Sequence, residues 1–229
     1  MTWWLVTFAR GGTARYLSHL DTARALQRTF ARAEVPIGMS QGMRPKPRLS
    51  LPLPLPVGAA GREEIAVVEV ADGGPKPATA LRALRAAAPP GLEPVAVAVA
   101  GVCHPRPQPH EATYACQLGG DAGAILAAVE RYSGAVSAPY ERVSPKGRRE
   151  LDLKVYVVGA HAEPDGDGVR LRFTIRHRPD GAARPQEFID LIAGWAGVEP
   201  VMRGLERHRI AWQSMPPGQR FGDGRSARS

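Results

Sequence analysis

The sequence predicts an α+β fold of two tandem ferredoxin-like (βαββαβ) modules with a disordered C-terminal tail. The predicted order of elements is β-α-β-β-α-β over residues 1–100, and the same order repeats over residues 112–212. A proline-rich stretch at 101–111 reads as a linker between the two modules. Residues 213–229 are rich in Gly, Ser, Pro and Arg, a composition typical of disorder at a chain end.

In the first module, strand-forming residues at 3–9 precede a helix predicted over 18–34. Ser18 is placed to cap that helix, and Leu20, Leu26 and Phe30 lie on the face expected to pack. Prolines interrupt residues 49–55, so we expect at most an edge strand there. The remaining elements are strands at 64–70 and 92–99 and a helix at 77–88.

In the second module, alternating or apolar runs predict strands at 112–118, 151–158, 169–177 and 205–212. Asp121 is placed to cap one helix and Pro185 to begin another. Gly166-Asp167-Gly168 predicts a hairpin turn.

The charge of the chain points to an anionic partner. The 229 residues carry a net charge of +8, and residues 1–50 hold eight Lys or Arg against two Asp or Glu. Nucleic acid is the first candidate partner and a membrane surface the second. No apolar run approaches the 18 residues of a membrane helix and no signal peptide is evident, so we expect a cytoplasmic protein without a membrane partner.

Three groups of cations stand out. Arg24, Arg28 and Arg32 recur every four residues on one helix face, and prolines hold Arg44, Lys46 and Arg48 in an extended segment. In the strand at 169–177, Arg170, Arg172 and Arg176 alternate with apolar residues. Such arrays suit phosphate contacts that do not read sequence, although each pattern is equally that of a solvated surface.

His19 is a catalytic candidate, because it lies beside Tyr16 at the start of a predicted helix in a basic region. It could instead bind a ligand or have no chemical role. The sequence has no Walker loop, GxGxxG, GxSxG or three-cysteine cluster motif, and Cys103 and Cys116 form no CxxC pair. We therefore predict no metal and no cofactor.

Several of these segments resemble the radical-SAM-linked protein family of bacteria. The resemblance rests on residues 16–21, Arg28, Pro36, 40–50 and 52–54, with a weaker second signature at 146–153; at Met43 and Arg44 the chain departs from the family's more usual Phe-Asn. Members of that family tend to be fused to, or encoded beside, a B12-binding radical SAM protein. The resemblance implies such a protein as partner, which would carry the iron–sulfur cluster. More distantly, the first module is similar to RNA-processing endonucleases of CRISPR systems.

Together these observations favour an accessory protein more than a self-sufficient enzyme. The leading hypothesis is an RNA-binding protein that presents structured tRNA or rRNA to a partner radical SAM enzyme. The alternatives are a metal-independent endoribonuclease using His19 and an adaptor that docks on the radical SAM enzyme; the oligomeric state stays open. The expected RNA contacts are Arg15, His19, Arg24, Arg28, Arg32, Gln41, Arg44, Lys46, Arg48, Lys146, Arg148, Arg149, Arg170, Arg172 and Arg176.

Overall fold

The computed structural model describes residues 1–145 and 147–214. These residues form four α-helices: α1 (His19–Arg32), α2 (Pro77–Ala87), α3 (Ala122–Gly134) and α4 (Pro185–Ala196). They also form ten strands: β1 (Thr2–Arg10), β2 (Leu49–Ser50), β3 (Ala60–Val70), β4 (Leu92–Gly101), β5 (Gln108–Gly119), β6 (Pro139–Ser144), β7 (Gly147–Asp152), β8 (Val157–Asp165), β9 (Gly168–Arg176) and β10 (Val201–Ser214).

Eight of the described strands form one large mixed sheet. Its path is β4-β1-β3-β10-β5-β9-β8, and β2 lies beside β3. Neighbours pair antiparallel except β3 and β10, which run parallel and are in register only at Glu206–Ala60 and Arg207–Gly61. Strands β6 and β7 pair as a separate hairpin. The fold class is therefore α+β, as predicted.

All four helices pack on the same side of the large sheet. In the first half, Trp4, Val6 and Phe8 of β1 belong to one apolar cluster with Leu26 of α1 and Leu84 of α2. Because side chains alternate along a strand, the residues between them face the other way.

The second half uses the same side. A second cluster joins Tyr114 of β5 and Phe173 of β9 to residues of α3 and α4. Arg207 of β10 reaches both Tyr114 and Glu64 of β3, and Glu64 alternates in phase with the helix-facing Ala66 and Val68. The helix-facing sides of the two halves therefore form one continuous side of the sheet.

The opposite face of the sheet is partly covered in the first half. Trp3, Leu5, Ile65 and Val67 form a small cluster there, against which Trp212 of β10 packs. The ring of His104, in the segment after β4, lies 4.3 Å from that of Trp3 in an edge-to-face arrangement.

The strongly periodic elements agree with the sequence prediction. In α1, the Ser18 hydroxyl accepts a hydrogen bond from the Asp21 amide at 3.1 Å, so Ser18 is the predicted cap. Asp121 caps α3 in the same way through the Ala124 amide, and Pro185 is the first residue of α4. Leu20, however, is 57% exposed, because it lies at the solvated edge of the α1 face expected to pack.

Two predicted boundaries are wrong. Strand β5 begins at Gln108, inside the predicted linker 101–111. Pro109 is tolerated there because β9 joins β5 only from Glu111 onward, so its missing N–H breaks no hydrogen bond to β9. Of the proline-interrupted residues 49–55, only Leu49–Ser50 form a strand, which agrees with the prediction of at most an edge strand there.

The predicted strand at 151–158 is the end of β7, a 3-10 turn at Leu153–Val155 and the start of β8. The Asp152 carboxylate accepts hydrogen bonds from the amides of Ala138 and Lys154, which turns the chain at this point. Strand β6 was not predicted from the sequence. The tail predicted to be disordered begins at 213, and its residues from 215 onward lie outside the described residues.

Strand β4 forms one edge of the sheet. The guanidinium of Arg85, from α2, donates hydrogen bonds to the β4 carbonyls of Pro94 at 2.8 Å and Val95 at 2.9 Å.

Among the described residues, no helix combines the length and the apolar character needed to cross a membrane.

Candidate nucleic-acid interface

Helix α1 carries the first predicted group of cations on its exposed side. Arg24, Arg28 and Arg32 are all exposed. Arg24 pairs with Asp21 at 3.2 Å, whereas within residues 1–145 and 147–214 no carboxylate lies within 4.0 Å of the Arg28 or Arg32 guanidinium. The Arg24 charge is thus partly compensated and the other two are available to an anion.

The loop between α1 and β2 holds the second group. Met39 bridges to Pro47, and the Ser40 amide donates to the Lys46 carbonyl at 2.8 Å while the Lys46 amide donates to the Ser40 hydroxyl at 2.9 Å. This closes the loop and leaves its tip in solvent, with exposed Gln41, Arg44 and Lys46.

Arg48 is also exposed, but unlike Arg44 and Lys46 it is held in an ion pair. Its guanidinium donates to both carboxylate oxygens of Glu69, at 2.9 and 2.8 Å, and lies 5.7 Å from the centre of the Trp3 ring. Glu69 is buried, so the ion pair fixes the Arg48 side chain. The sequence could not show this, because the pair joins residues 21 positions apart.

His19 is the first residue of α1 and is exposed. It lines a pocket of about 10 Å³ together with Arg10, Thr22 and Glu64, which has room for one water molecule. The neighbouring Arg15 donates to the Tyr16 hydroxyl at 2.9 Å and stacks on the same ring at 4.9 Å. The geometry gives no specific support for cleavage chemistry at His19.

The β6–β7 hairpin carries Arg148 and Arg149, both exposed. Arg148 pairs with Glu141 of the facing strand at 3.3 Å. Lys146, also predicted as a contact, lies outside the described residues.

The third predicted group lies on the opposite side of the sheet from α1. Arg170, Arg172 and Arg176 alternate along β9 with residues that pack against α3 and α4, so they point away from the helices. Arg170 pairs with Asp165 at 3.2 Å and Arg176 with Glu111 at 3.0 Å. The predicted contacts therefore do not form one basic face, since the sheet separates the α1 cations from those of β9.

Further polar residues lie on that open face that the sequence patterns did not indicate. Arg62 of β3 and Arg203 and His208 of β10 line a pocket of about 290 Å³ with Arg170. Burial lowers the pKa of His208 below its ordinary value; Glu206, 3.0 Å away, opposes this shift, and the nearby arginines Arg62, Arg172 and Arg170 add to it.

A buried polar network where the two halves of the sheet meet was also not predicted from the sequence. Arg207 pairs with Glu64, and Arg10 donates to the carbonyls of Leu17, Leu55, Pro56 and Ala59 and to the Thr22 hydroxyl. The sequence nevertheless contains an indication of this network, because Arg10 and Glu64 fall at core-facing positions of apolar strands.

Metal binding has no evident site, since the described residues contain no group of three or more His, Cys, Asp or Glu side chains placed to hold an ion. Cys116 is buried, which raises the pKa of its thiol to about 12, and Cys103 is exposed. Neither thiol is placed in a recognisable ligand set.

Comparisons with known proteins identify a family and similar solved structures. The model of the family described as "Uncharacterized protein conserved in bacteria (DUF2344)" matches residues 4–185. No curated protein matches the chain. A chain in the crystal structure of a Cbf5-Nop10-Gar1 complex is similar in fold, with a TM-score of 0.53 and 15% sequence identity. The likeness covers 90% of this chain but only 48% of that one, so this chain spans about half its length.

Proposed function

This chain belongs to the DUF2344 family of bacterial proteins, and we propose that it is an RNA-binding accessory protein. In this proposal it holds structured RNA, tRNA or rRNA, against a partner radical SAM enzyme. The family is shown by the comparison; the RNA and the enzyme are our inference.

The observation that carries the proposal is the set of uncompensated cations around α1. Arg28, Arg32, Arg44 and Lys46 are exposed, and in the part of the chain that the structure describes none has a carboxylate within ion-pair distance. When unpaired surface arginines and lysines bind phosphates, they displace the counterions condensed on the nucleic acid. The release of those counterions favours association with a nucleic-acid backbone.

The mode of recognition would be shape and backbone contact. The open sheet face of the second half presents Arg170 and Arg172 beside Thr113 and Thr174, whose hydroxyls are 3.0 Å apart. RNA-binding sheets that read single strands use aromatic side chains at such positions to stack bases. Cations and hydroxyls suit phosphate and ribose contacts with structured RNA.

We also propose that the chain consists of two ferredoxin-like modules, over residues 1–100 and 112–212. The strand orders support this: β4-β1-β3 with β2 alongside, and β10-β5-β9-β8, place the first strand of each half between its last and third strands. Both halves also have the element order of that module when the β6–β7 hairpin is treated as an insertion.

The radical SAM partner rests on the sequence resemblance. A radical SAM enzyme needs a cysteine-bound iron–sulfur cluster, and this chain has two cysteines in all. The accessory role assigns that cluster to the partner and the RNA contact to this chain.

The test is binding of the purified protein to structured RNA across a salt series. Replacing Arg24, Arg28 and Arg32 by Ala should flatten the log–log salt dependence by about two to three, at roughly 0.7–0.9 per phosphate contact. A control with Lys76, Arg82 and Arg178 replaced by Ala loses the same charge from other exposed sites and should keep the wild-type slope.

Absence of binding at low salt would sink the RNA proposal, and equal slopes for the two variants would remove α1 from the interface. The same incubations in EDTA report on the endoribonuclease alternative, which requires the RNA to be cut. Intact RNA after long incubation would exclude it.

The adaptor alternative has an observation in its favour. Tyr16, Leu20 and Met43 are exposed at 60%, 57% and 102% in the same segments as the cations. Exposed apolar side chains among cations are typical of protein interfaces as well as of RNA contacts. Tight binding to the radical SAM enzyme that competing RNA does not weaken would favour the adaptor.

A further inference from the structure

The pocket on the open sheet face has the features of a built site. It measures about 290 Å³ and lies where β3, β5, β9 and β10 come together, lined by Arg62, Gln117, Arg170, Arg203, Glu206 and His208. Its position on the side of the sheet away from the helices makes it separate from the α1 surface.

A β-bulge contributes to the shape of this pocket. Between Arg203 and Glu206, β10 advances three residues while β5 advances two, from Gln117 to Ala115. Gly204 takes the extra step in a left-handed conformation, with a φ of 62°. Bulges of this kind re-aim side chains in the middle of a sheet, and here the residues on both sides of the bulge line the pocket.

Three guanidinium groups are held at the pocket with donors to spare. Arg62 uses Nε and Nη2 for Glu206, at 2.8 and 3.0 Å. Arg170 uses Nε for Asp165 at 3.2 Å, and Arg203 uses Nη1 for Asp167 at 3.5 Å. An arginine has five N–H donors, so each keeps several for a ligand while its carboxylate partner restrains it.

The charge around the pocket favours a monoanion. Each of the three arginines has one carboxylate partner, Glu206, Asp165 or Asp167. The excess positive charge near the pocket therefore comes from Arg172, whose charge helps to lower the pKa of His208. A phosphodiester carries one negative charge and accepts several hydrogen bonds, whereas a phosphate monoester carries nearly two charges.

We propose that this pocket binds one phosphodiester group of an RNA chain, as a second contact on the other side of the sheet from α1. The inference rests on the proposed RNA-binding function and adds a defined position to it. Arg170 and Arg203 contact the phosphate, and Arg62, fixed by Glu206, forms the wall between β3 and β10.

The direct test uses protein with labelled histidine and a ribodinucleotide that has one internal phosphodiester and no terminal phosphate. The dinucleotide should shift the NMR resonances of His208 saturably. An analogue with an uncharged methylphosphonate linkage should not, because it lacks the charge that the arginines recognise. Inorganic phosphate is the third probe, and it should bind more weakly than the dinucleotide.

The matched variants are Arg170→Gln/Arg203→Gln in the pocket and Arg82→Gln/Arg178→Gln outside it. Both pairs of arginines are exposed, so all the variants should fold. The pocket variant should bind the dinucleotide at least tenfold more weakly, and the control should bind as the wild type does.

An unmoved His208, or equal affinity in the two variants, would overturn the pocket assignment. Tighter binding of inorganic phosphate than of the dinucleotide would overturn the diester as ligand. These results are distinguishable from failure of the proposed function, which shows as absence of structured-RNA binding in the wild type. Conversely, structured RNA that binds the wild type and the pocket variant equally leaves the α1 contact standing and removes this one.

Discussion

Arg207 is a charged residue in the protein interior whose donors are all used. It is 1% exposed, and its guanidinium donates to both oxygens of Glu64, to the carbonyls of Leu53 and Pro54 and to the Tyr114 hydroxyl. Five N–H groups thus meet five acceptors. The contacts span β3, the segment before it, β5 and β10, so one side chain joins the two halves of the sheet.

Replacing Arg207 by Leu should therefore destabilise the protein strongly. It leaves the Glu64 carboxylate buried without its partner, which costs about 3–5 kcal/mol. The double variant Arg207→Leu/Glu64→Leu also removes the unpaired buried carboxylate, so it should recover part of the lost stability. Urea unfolding of the two variants and the wild type measures the difference, and equal stability of the single and double variants would contradict this account.

Sequence patterns can reveal such residues but not their partners. Arg10 and Glu64 occupy core-facing positions in apolar strands, which alone indicates a buried charge with polar partners. Arg207 and Glu64 are 143 positions apart, and the β10 bulges shift the alternation that would identify Arg207 as inward-facing. The pairing depends on which strands become neighbours, and local patterns do not specify that.

Among the elements, the β6–β7 hairpin is anchored by one buried carboxylate. Glu187, in the first turn of α4, is 5% exposed; it accepts a 2.7 Å hydrogen bond from Arg142 of β6 and a 2.8 Å bond from the Arg184 amide. Arg142 also donates to the Ala182 carbonyl at 3.0 Å. The hairpin is thus attached to the start of α4 through charge-assisted hydrogen bonds.

Changing Arg142 to Ala should release the hairpin and destabilise α4. The loss leaves buried Glu187 with the Arg184 guanidinium, 4.0 Å away, as its remaining cation, and we expect a cost on the order of 3 kcal/mol. Amide hydrogen exchange should show lost protection in β6 and β7, and urea unfolding should show the change in stability. Arg148→Ala is the control, because its exposed pair with Glu141 contributes roughly 0–1 kcal/mol.

The elements that the sequence predicted well are those with a clear buried face. Strands β1, β3 and β9 and all four helices have apolar residues at the period of their structure. Strand β6 was missed because its side chains alternate between exposed and half-buried, without an apolar core-facing row. Of the candidate site, the α1 and β9 cations could be predicted from spacing. The pocket of Arg62, Arg203 and His208 could not, because it requires β3 and β10, which are distant in sequence, to become neighbours.

For the whole molecule, the sheet divides the positive charge into two surfaces. The α1 cations lie on the helix side, and Arg170 and Arg172 lie on the open side. An RNA that reaches both must pass around an edge of the sheet or contribute two separate segments. This geometry favours a large folded RNA over a short single strand as the ligand.

Stability of the whole molecule should fall when the solution is acidified below neutrality. Burial lowers the pKa of His177, with Arg207 adding to the shift, and burial also lowers the pKa of His208, so both folded pKa values lie below the ordinary 6.5. Below pH 6.5 the unfolded chain then binds protons before the folded chain does, and the free energy of unfolding decreases until the folded pKa values are reached.

At lower pH a second decrease should follow, because hydrogen bonding to Arg62 holds the pKa of Glu206 below its ordinary value and that stabilisation is lost on protonation. The His177→Gln variant should show a smaller decrease between pH 7 and pH 5 than the wild type. His161→Gln, at an exposed position, should follow the wild type. Urea unfolding at a series of pH values measures both, and parallel curves for His177→Gln and the wild type would rule out a contribution from His177.

The hydrogen bonds from Arg85 to the carbonyls of Pro94 and Val95 affect how copies of the protein behave at high concentration. Strand β4 is an edge rich in Val and Ala, the kind of edge that other chains can extend into intermolecular sheets. By occupying two of its acceptors, a side chain from α2 blocks part of the template on which such aggregates grow. We therefore expect Arg85 to oppose self-association through β4, a role separate from any contact with RNA.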